Sequence, residues 1–217
     1  MIKEIIERNR EEVDEIKKIY NDFYESAKED LFHENAIKFD HRPFDSVQEM
    51  HEVVLKNWND RVTNGDFVYL LGDMSLRGKN EDLIAFVARL KGRKVLIRGN
   101  HDDVSDYRYQ QLFTEICDYK EIYDSVGKEK YGLVLSHYPI FSWKNMGRGK
   151  ILLYGHTHES AEDQFYQSCL KQMRENDCRH VYDKKLLACN VGCMLPYMNY
   201  TPRTLEEILE GVEVETK

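Results

Sequence analysis

No proline- or serine-rich stretch interrupts this chain of 217 residues, and repeats and low-complexity tracts are lacking as well. Nothing therefore marks off a second independent domain. Cysteine is sparse and uneven: Cys117, Cys169, Cys178, Cys189 and Cys193 make an odd set with no Cys-x-x-Cys pair. That pattern spells neither a disulfide framework nor a cysteine zinc site, and the thiols read as reduced, in a cytosolic (cytoplasmic) protein. No apolar run is long enough to span a bilayer, so no membrane role is expected. The N-terminus, MIKEIIERNREEVDEIKK, is charged throughout and has no signal-peptide core. Basic residues are outnumbered, 31 Lys and Arg against 39 Asp and Glu, for a formal net charge of -8. Duplex nucleic acid is held largely through Lys and Arg, so it is not expected as a partner. A small phosphorylated molecule remains open, because a bound cation inverts the local field.

What is present is a sequence of well-punctuated elements. Ile2, Ile5, Ile6, Val13, Ile16, Tyr20 and Phe23 recur at helical steps, which predicts an amphipathic helix over residues 1–31. Ser46-Val-Gln-Glu49 is a capping box that starts a second helix, with Val47, Met50, Val54 and Trp58 as its apolar stripe. Asn64-Gly65-Asp66 is a turn before a strand. Asn80 and Gly92 bracket a helix carrying Leu83, Phe86, Val87 and Leu90. Strand, helix and strand from Val68 to Ile97 then form a βαβ unit, expected to be right-handed. Further on, the pattern predicts a helix over 104–113 and a hairpin of Ile122–Val126 with Tyr131–Leu135 across Gly127. A helix over 162–176 should turn Phe165, Cys169, Leu170 and Met173 inward. Val181 and Leu187–Val191 suggest a closing hairpin around Asp183-Lys184, and Thr204-Leu-Glu-Glu207 caps a terminal helix.

The chemistry sits at the ends of the apolar runs. Leu71-Gly72-Asp73, Gly99-Asn100-His101-Asp102, Ser136-His137-Tyr138 and Gly155-His156-Thr157-His158 each follow a hydrophobic stretch of strand length. Strand tips of open α/β sheets converge where ligands bind. Carboxylate, amide oxygen and imidazole together suit one or two divalent transition metals (Mn, Fe, Zn, Co or Ni). Asp73 can bridge two cations; Asn100, His137, His156 and His158 are the other metal ligands. His156 and His158, two apart in an extended segment, would point the same way and serve two neighbouring ions. Two metals about 3.5–4 Å apart activate a water and clamp the oxygens of a phosphoryl displacement. His101 is placed to donate a proton to the leaving oxygen, or else to support the site from behind. Asp102, the second catalytic candidate, would orient the loop or an imidazole. Arg42 and Arg77 either bind a substrate phosphate or brace their loops. Tyr138, Phe141 and Trp143 form either an aromatic wall for a ring or an anchor for their own loop.

These motifs, in this order and spacing, resemble the calcineurin-like metallophosphoesterases. His33 to Phe39 followed by Arg42-Pro43-Phe44 is similar to a small bacterial and phage subgroup, as is Asn190-Val191-Gly192 followed by Tyr200-Thr201-Pro202. The likeness runs from residue 33 to about 210. It implies an α/β fold: a four-layer α-β-β-α sandwich of two mixed sheets. It also implies roles: Asp73 as bridging ligand, Asn100, His137 and His156 on one metal, His158 on the other, and His101 as proton donor.

The family's opening strand, ending in Asp-x-His, is missing. The N-terminal helix stands in its place, as a helical extension over 1–32 ahead of a metallophosphoesterase-like domain over 33–217. Asp30 and His33, three apart on one helix face, are the best substitute ligands for the incomplete site. The apolar stripe of residues 1–31 covers the sheet edge left open, or pairs with a second copy to give a homodimer. Two functions follow. The first is metal-dependent hydrolysis of a small phosphomonoester or phosphodiester, a nucleotide included, by metal-activated hydroxide, with activity reduced by the missing ligands. The alternative is a catalytically degenerate relative that serves as a binding or regulatory module.

Overall fold

The computed structural model describes residue 37 and residues 42–74, 81–176 and 186–215. The expected helix over 1–31, with Asp30 and His33, lies outside these residues, as do Arg77 and Asn80. Helix α1 (Val47–Arg61) begins where the capping box puts it. The Ser46 hydroxyl accepts from the Glu49 N–H at 3.1 Å, while the Glu49 carboxylate reaches back one residue further, to the Asp45 N–H at 2.8 Å. Strand β1 (Phe67–Leu70), helix α2 (Glu81–Arg89) and strand β2 (Arg93–Ile97) form the expected strand–helix–strand unit. β1 and β2 pair in parallel, Phe67 opposite Arg93. The 104–113 stretch is helical only over α3 (Tyr107–Gln110), because Asp103 and Asp106 turn their carboxylates onto the N–H groups of Ser105 and Arg108, each at 2.8 Å.

Strand β3 (Glu115–Cys117) completes a three-stranded sheet in the order β1-β2-β3. Strands β4 (Tyr119–Val126) and β5 (Glu129–Ser136) form the expected hairpin, with a turn at Gly127-Lys128 tighter than the sequence implied. β6 (Ile151–Tyr154) and β7 (Ala188–Asn190) extend the second sheet in parallel, giving the order β4-β5-β6-β7. The α/β class with two sheets stands, but only the second sheet is mixed. The first is parallel throughout its described strands, because no hairpin joins neighbours within it. β7 runs parallel to β6, and the other arm of the hairpin predicted around Asp183-Lys184 lies outside the described residues.

Alternation along the strands builds the layers. Val95 and Ile97 of β2 face Leu133 and Leu135 of β5 and Ile151 and Leu153 of β6, in a core between the sheets. Leu96 points the other way, into a layer with Met50, Val54 and Trp58 of α1 and Leu83, Phe86 and Val87 of α2. Val134, Leu152 and Tyr154 face helix α4 (Ala161–Glu175), completing an α-β-β-α stack. The face of α4 agrees with expectation at Leu170 and Met173 and differs at Phe165. Tyr166 and Leu170 are buried, whereas Phe165 is 72% exposed. Tyr166 and Leu170 form an i,i+4 pair over β5 and β6, and the Tyr166 hydroxyl finds a partner in the Ile140 carbonyl at 2.8 Å. Helix α5 (Leu205–Glu215) closes the inter-sheet core, with Thr204 and Glu207 capping it reciprocally. No helix among the described residues is long and apolar enough to cross a membrane.

Candidate metal centre

Four strand tips deliver the site: β1 runs into Asp73, β2 into Asn100, β5 into His137 and β6 into His156. The loops after β5 and β6 are tied by the Gly155 N–H, which donates to the His137 carbonyl at 3.0 Å. Glycine at 72 and 99 is what lets the loops close. A Cβ on Gly99 would lie 2.1 Å from Asp73 Oδ1, and one on Gly72, at φ 86°, would lie 2.5 Å from His137 Nδ1.

His137 is the centre of the arrangement. Its ring is buried, and its Nδ1–H donates to the Leu71 carbonyl at 2.7 Å. A carbonyl can only accept, so the neutral ring carries its lone pair on Nε2. That atom faces Asn100 Oδ1 at 3.0 Å, His156 Nδ1 at 3.1 Å and Asp73 Oδ2 at 3.2 Å. Ligand atoms of Asp73, His137 and His156 all lie within 4.8 Å of one another. Asp73, Asn100 Oδ1 and His137 Nε2 present lone pairs to one point, and His156 Nδ1 adds a fourth in the tautomer that carries its proton on Nε2. A divalent cation of the transition series, which takes mixed oxygen and imidazole ligands, fits this donor set.

The proton affinities say the same. Burial disfavours charge on His137, but the hydrogen bond and charge of Asp73 outweigh it and hold the imidazole above its usual value. Burial would raise the Asp73 carboxyl, and His137 together with the His101 N–H more than reverses this. His156 is pushed down to about 4 by burial and then by the neighbouring His137 charge.

The remaining residues arrange themselves around this core. Asp102 does not touch an imidazole ring. Its carboxylate accepts from the backbone N–H groups of Asp73 at 2.8 Å, Met74 at 2.9 Å and Gly99 at 2.9 Å. It thus staples the β1 loop to the β2 loop and holds Asp73 at φ 52°. Burial raises its own carboxyl, against those three N–H groups. The His101 N–H donates to Asp73 Oδ1 at 2.9 Å, and its half-exposed ring acts electrostatically on both Asp73 and His156. His158 stays outside the three-ligand cluster but lines the same cavity and depresses the His156 proton affinity by its charge. His156 and His158 are not extended: both sit in the left-handed region, at φ 67° and 50°. The expectation that they point alike in an extended segment is therefore corrected; a tight turn, not a strand, carries them.

Arg42 is buried on the cavity wall and braces its turn, with Nη1 3.6 Å from Met50 Sδ and its N–H on the Ile37 carbonyl at 2.9 Å. The aromatic trio divides. Trp143 is buried and anchors its loop through Nε1 to the Lys150 carbonyl at 2.8 Å. Tyr138 and Phe141 are exposed, and the Tyr138 ring lies 4.6 Å from that of His156. A cavity of about 650 Å³, lined in part by Asp73, His137, His156 and His158, opens beside the ligands. One contributor has no signal in the sequence: the Leu71 carbonyl has no side-chain signature. Asn190, quoted above only as part of the resemblance, takes a role beside the site, its amide donating to the His158 carbonyl at 2.7 Å.

The chain is 33% identical over 182 residues to an uncharacterized protein of Methanocaldococcus jannaschii, spanning 83% of this chain and 85% of that one. It is 30% identical over 123 residues to the gene 66 protein of Mycobacterium phage D29, spanning 46% of this chain and 62% of that one. Among solved structures, a protein of unknown function from Aquifex aeolicus aligns with a TM-score of 0.49 and 21% identity, over 82% of this chain and 92% of that one. The model of the calcineurin-like phosphoesterases matches residues 33–177, and the chain belongs to that family.

Proposed function

We propose that this protein hydrolyses a small phosphomonoester or phosphodiester with a divalent cation held by Asp73, Asn100, His137 and His156. The observation that carries the reading is His137 Nε2 facing Asn100 Oδ1, His156 Nδ1 and Asp73 Oδ2 at 3.0–3.2 Å. Bound there, a divalent cation supplies Lewis acidity toward a phosphoryl oxygen and lowers the pKa of a coordinated water. The protein's part is to keep Asp73 ionised, to keep the His137 lone pair aimed inward through the Leu71 carbonyl, and to orient Asp73 through Asp102. His101, half-exposed beside Asp73, gives its ring proton to the departing oxygen. His158, on the same cavity wall, serves a second cation. The exposed Tyr138 ring packs against His156 and suits a substrate with a planar ring, such as a nucleotide. Manganese is the cation to try first, and a cytoplasmic setting fits the reduced thiols.

The test is turnover of bis-p-nitrophenyl phosphate with added Mn²⁺. His101→Ala should lose about 100-fold or more in kcat while Mn²⁺ binding persists. His137→Ala should lose both. Mn²⁺ binding without turnover of any small phosphoester would mean a degenerate binding or regulatory module instead.

A further inference from the structure

The turn that presents His156 and His158 is strained at both histidines, and the strain has an identifiable restraint behind it. A non-glycine residue in the left-handed region is strained and persists only where its surroundings hold it there. Between the two histidines sits Thr157, buried at 3% exposure. Its hydroxyl donates to Asp163 Oδ1 at 2.8 Å. The same carboxylate oxygen accepts from the Tyr154 hydroxyl at 2.7 Å and from the Asn190 amide at 3.0 Å. Asn190 then donates to the His158 carbonyl at 2.7 Å and accepts from the Gly192 N–H at 3.0 Å. Burial, and then the Asp163 carboxylate, push the Tyr154 phenol above its usual value, so its hydroxyl remains a donor. The cluster joins β6, the turn, α4 and β7.

We propose that Asp163 and Asn190 are positioning residues of the metal centre. Asp163 acts through the Thr157 hydroxyl and Asn190 through the His158 carbonyl. Together they hold the backbone geometry from which His156 faces the cation and His158 faces the same cavity. This rests on the metal-site reading given above. One oxygen accepting three donors is a rigid node, and a turn pinned at Thr157 and at the His158 carbonyl cannot relax toward negative φ. Released, the turn swings the His156 ring away from Asp73 and His137 and lowers cation affinity. Lost partners behind a metal ligand typically weaken binding by about 10- to 100-fold.

Three variants of the full chain test this: Asn190→Asp, which keeps shape but replaces the donor by an acceptor, Thr157→Val, which removes the hydroxyl, and Thr157→Ser, which restores it. Mn²⁺ affinity is read by competition with a chelating dye, beside the melting midpoint of the metal-free protein. Asn190→Asp and Thr157→Val should bind Mn²⁺ about 10- to 100-fold more weakly, with Thr157→Ser within about twofold of the unmodified protein. Unchanged Mn²⁺ affinity in both, with only the melting midpoint lowered, would make the cluster a purely structural brace and overturn the proposal. Should Asn190→Asp fail to fold, Thr157→Val, which gives up one hydrogen bond, decides. Unmodified protein that binds no Mn²⁺ sinks the metal-site reading itself, and this inference with it; binding lost or kept only in the variants bears on the inference alone.

Discussion

His137 links the site's geometry to its pH behaviour. Its imidazole is held above the ordinary value, after burial is outweighed by Asp73, so a proton on Nε2 competes directly with the cation. His156, at about 4, carries no competing proton near neutrality. Protons compete below a ligand's pKa and not above it. Mn²⁺ affinity should therefore be flat at high pH and start to fall once pH drops through the raised His137 value, about tenfold per pH unit, the slope of one proton. A second proton enters only near pH 4, when His156 titrates. Calorimetric titration across pH 5–9 checks this; affinity independent of pH over that span contradicts it. Asp73, Asn100 and His156 were visible in the sequence because each follows an apolar run and a glycine, and His137 because it follows an apolar run and Ser136. The handedness of the turn at His156 and His158 was not visible, because histidine in a left-handed conformation leaves no compositional mark comparable to glycine. Nor was the Leu71 carbonyl, since any residue at 71 supplies one.

Elements with a side-chain signature were readable, and those decided by tertiary contacts were not. The capping boxes at Ser46 and Thr204 placed α1 and α5 at their true starts. On α4, Leu170 and Met173 pack inward as the pattern reads, but Phe165 does not: it is the more apolar residue, yet Tyr166 has the Ile140 carbonyl to bond. α3 is short because Asp103 and Asp106 prefer local turns. Gly211 shows the same tension between local preference and packing. Mid-helix glycine forgoes about 0.5–1 kcal/mol relative to alanine. A Cβ there, however, would lie 2.5 Å from Tyr197 Cβ, and the Tyr197 hydroxyl donates to the Asn190 carbonyl. Forced overpacking costs about 1–3 kcal/mol, which outweighs the propensity gain. Gly211→Ala should thus lower the melting midpoint, by about 2–4 °C for each kcal/mol lost. A raised midpoint in a thermal melt would show that propensity wins and that Tyr197 moves freely.

Across the whole molecule, two sheets share one inter-sheet core, and the tips of β1 and β2 meet those of β5 and β6 at one edge of it. The two-sheet stack was foreseeable from resemblance and from buried strand-length runs. That the first sheet is parallel follows from its connections, which no single run encodes. The ligand set for a second cation stays open, since Asp30 and His33 lie outside the described residues. The central claim is that side chains far apart in sequence make one cation site. Crystals of the protein grown with Mn²⁺ and measured at the manganese absorption edge test it most directly. An anomalous peak among Asp73, Asn100, His137 and His156 is the predicted result, and its absence from that position, with manganese bound elsewhere or not at all, would contradict it.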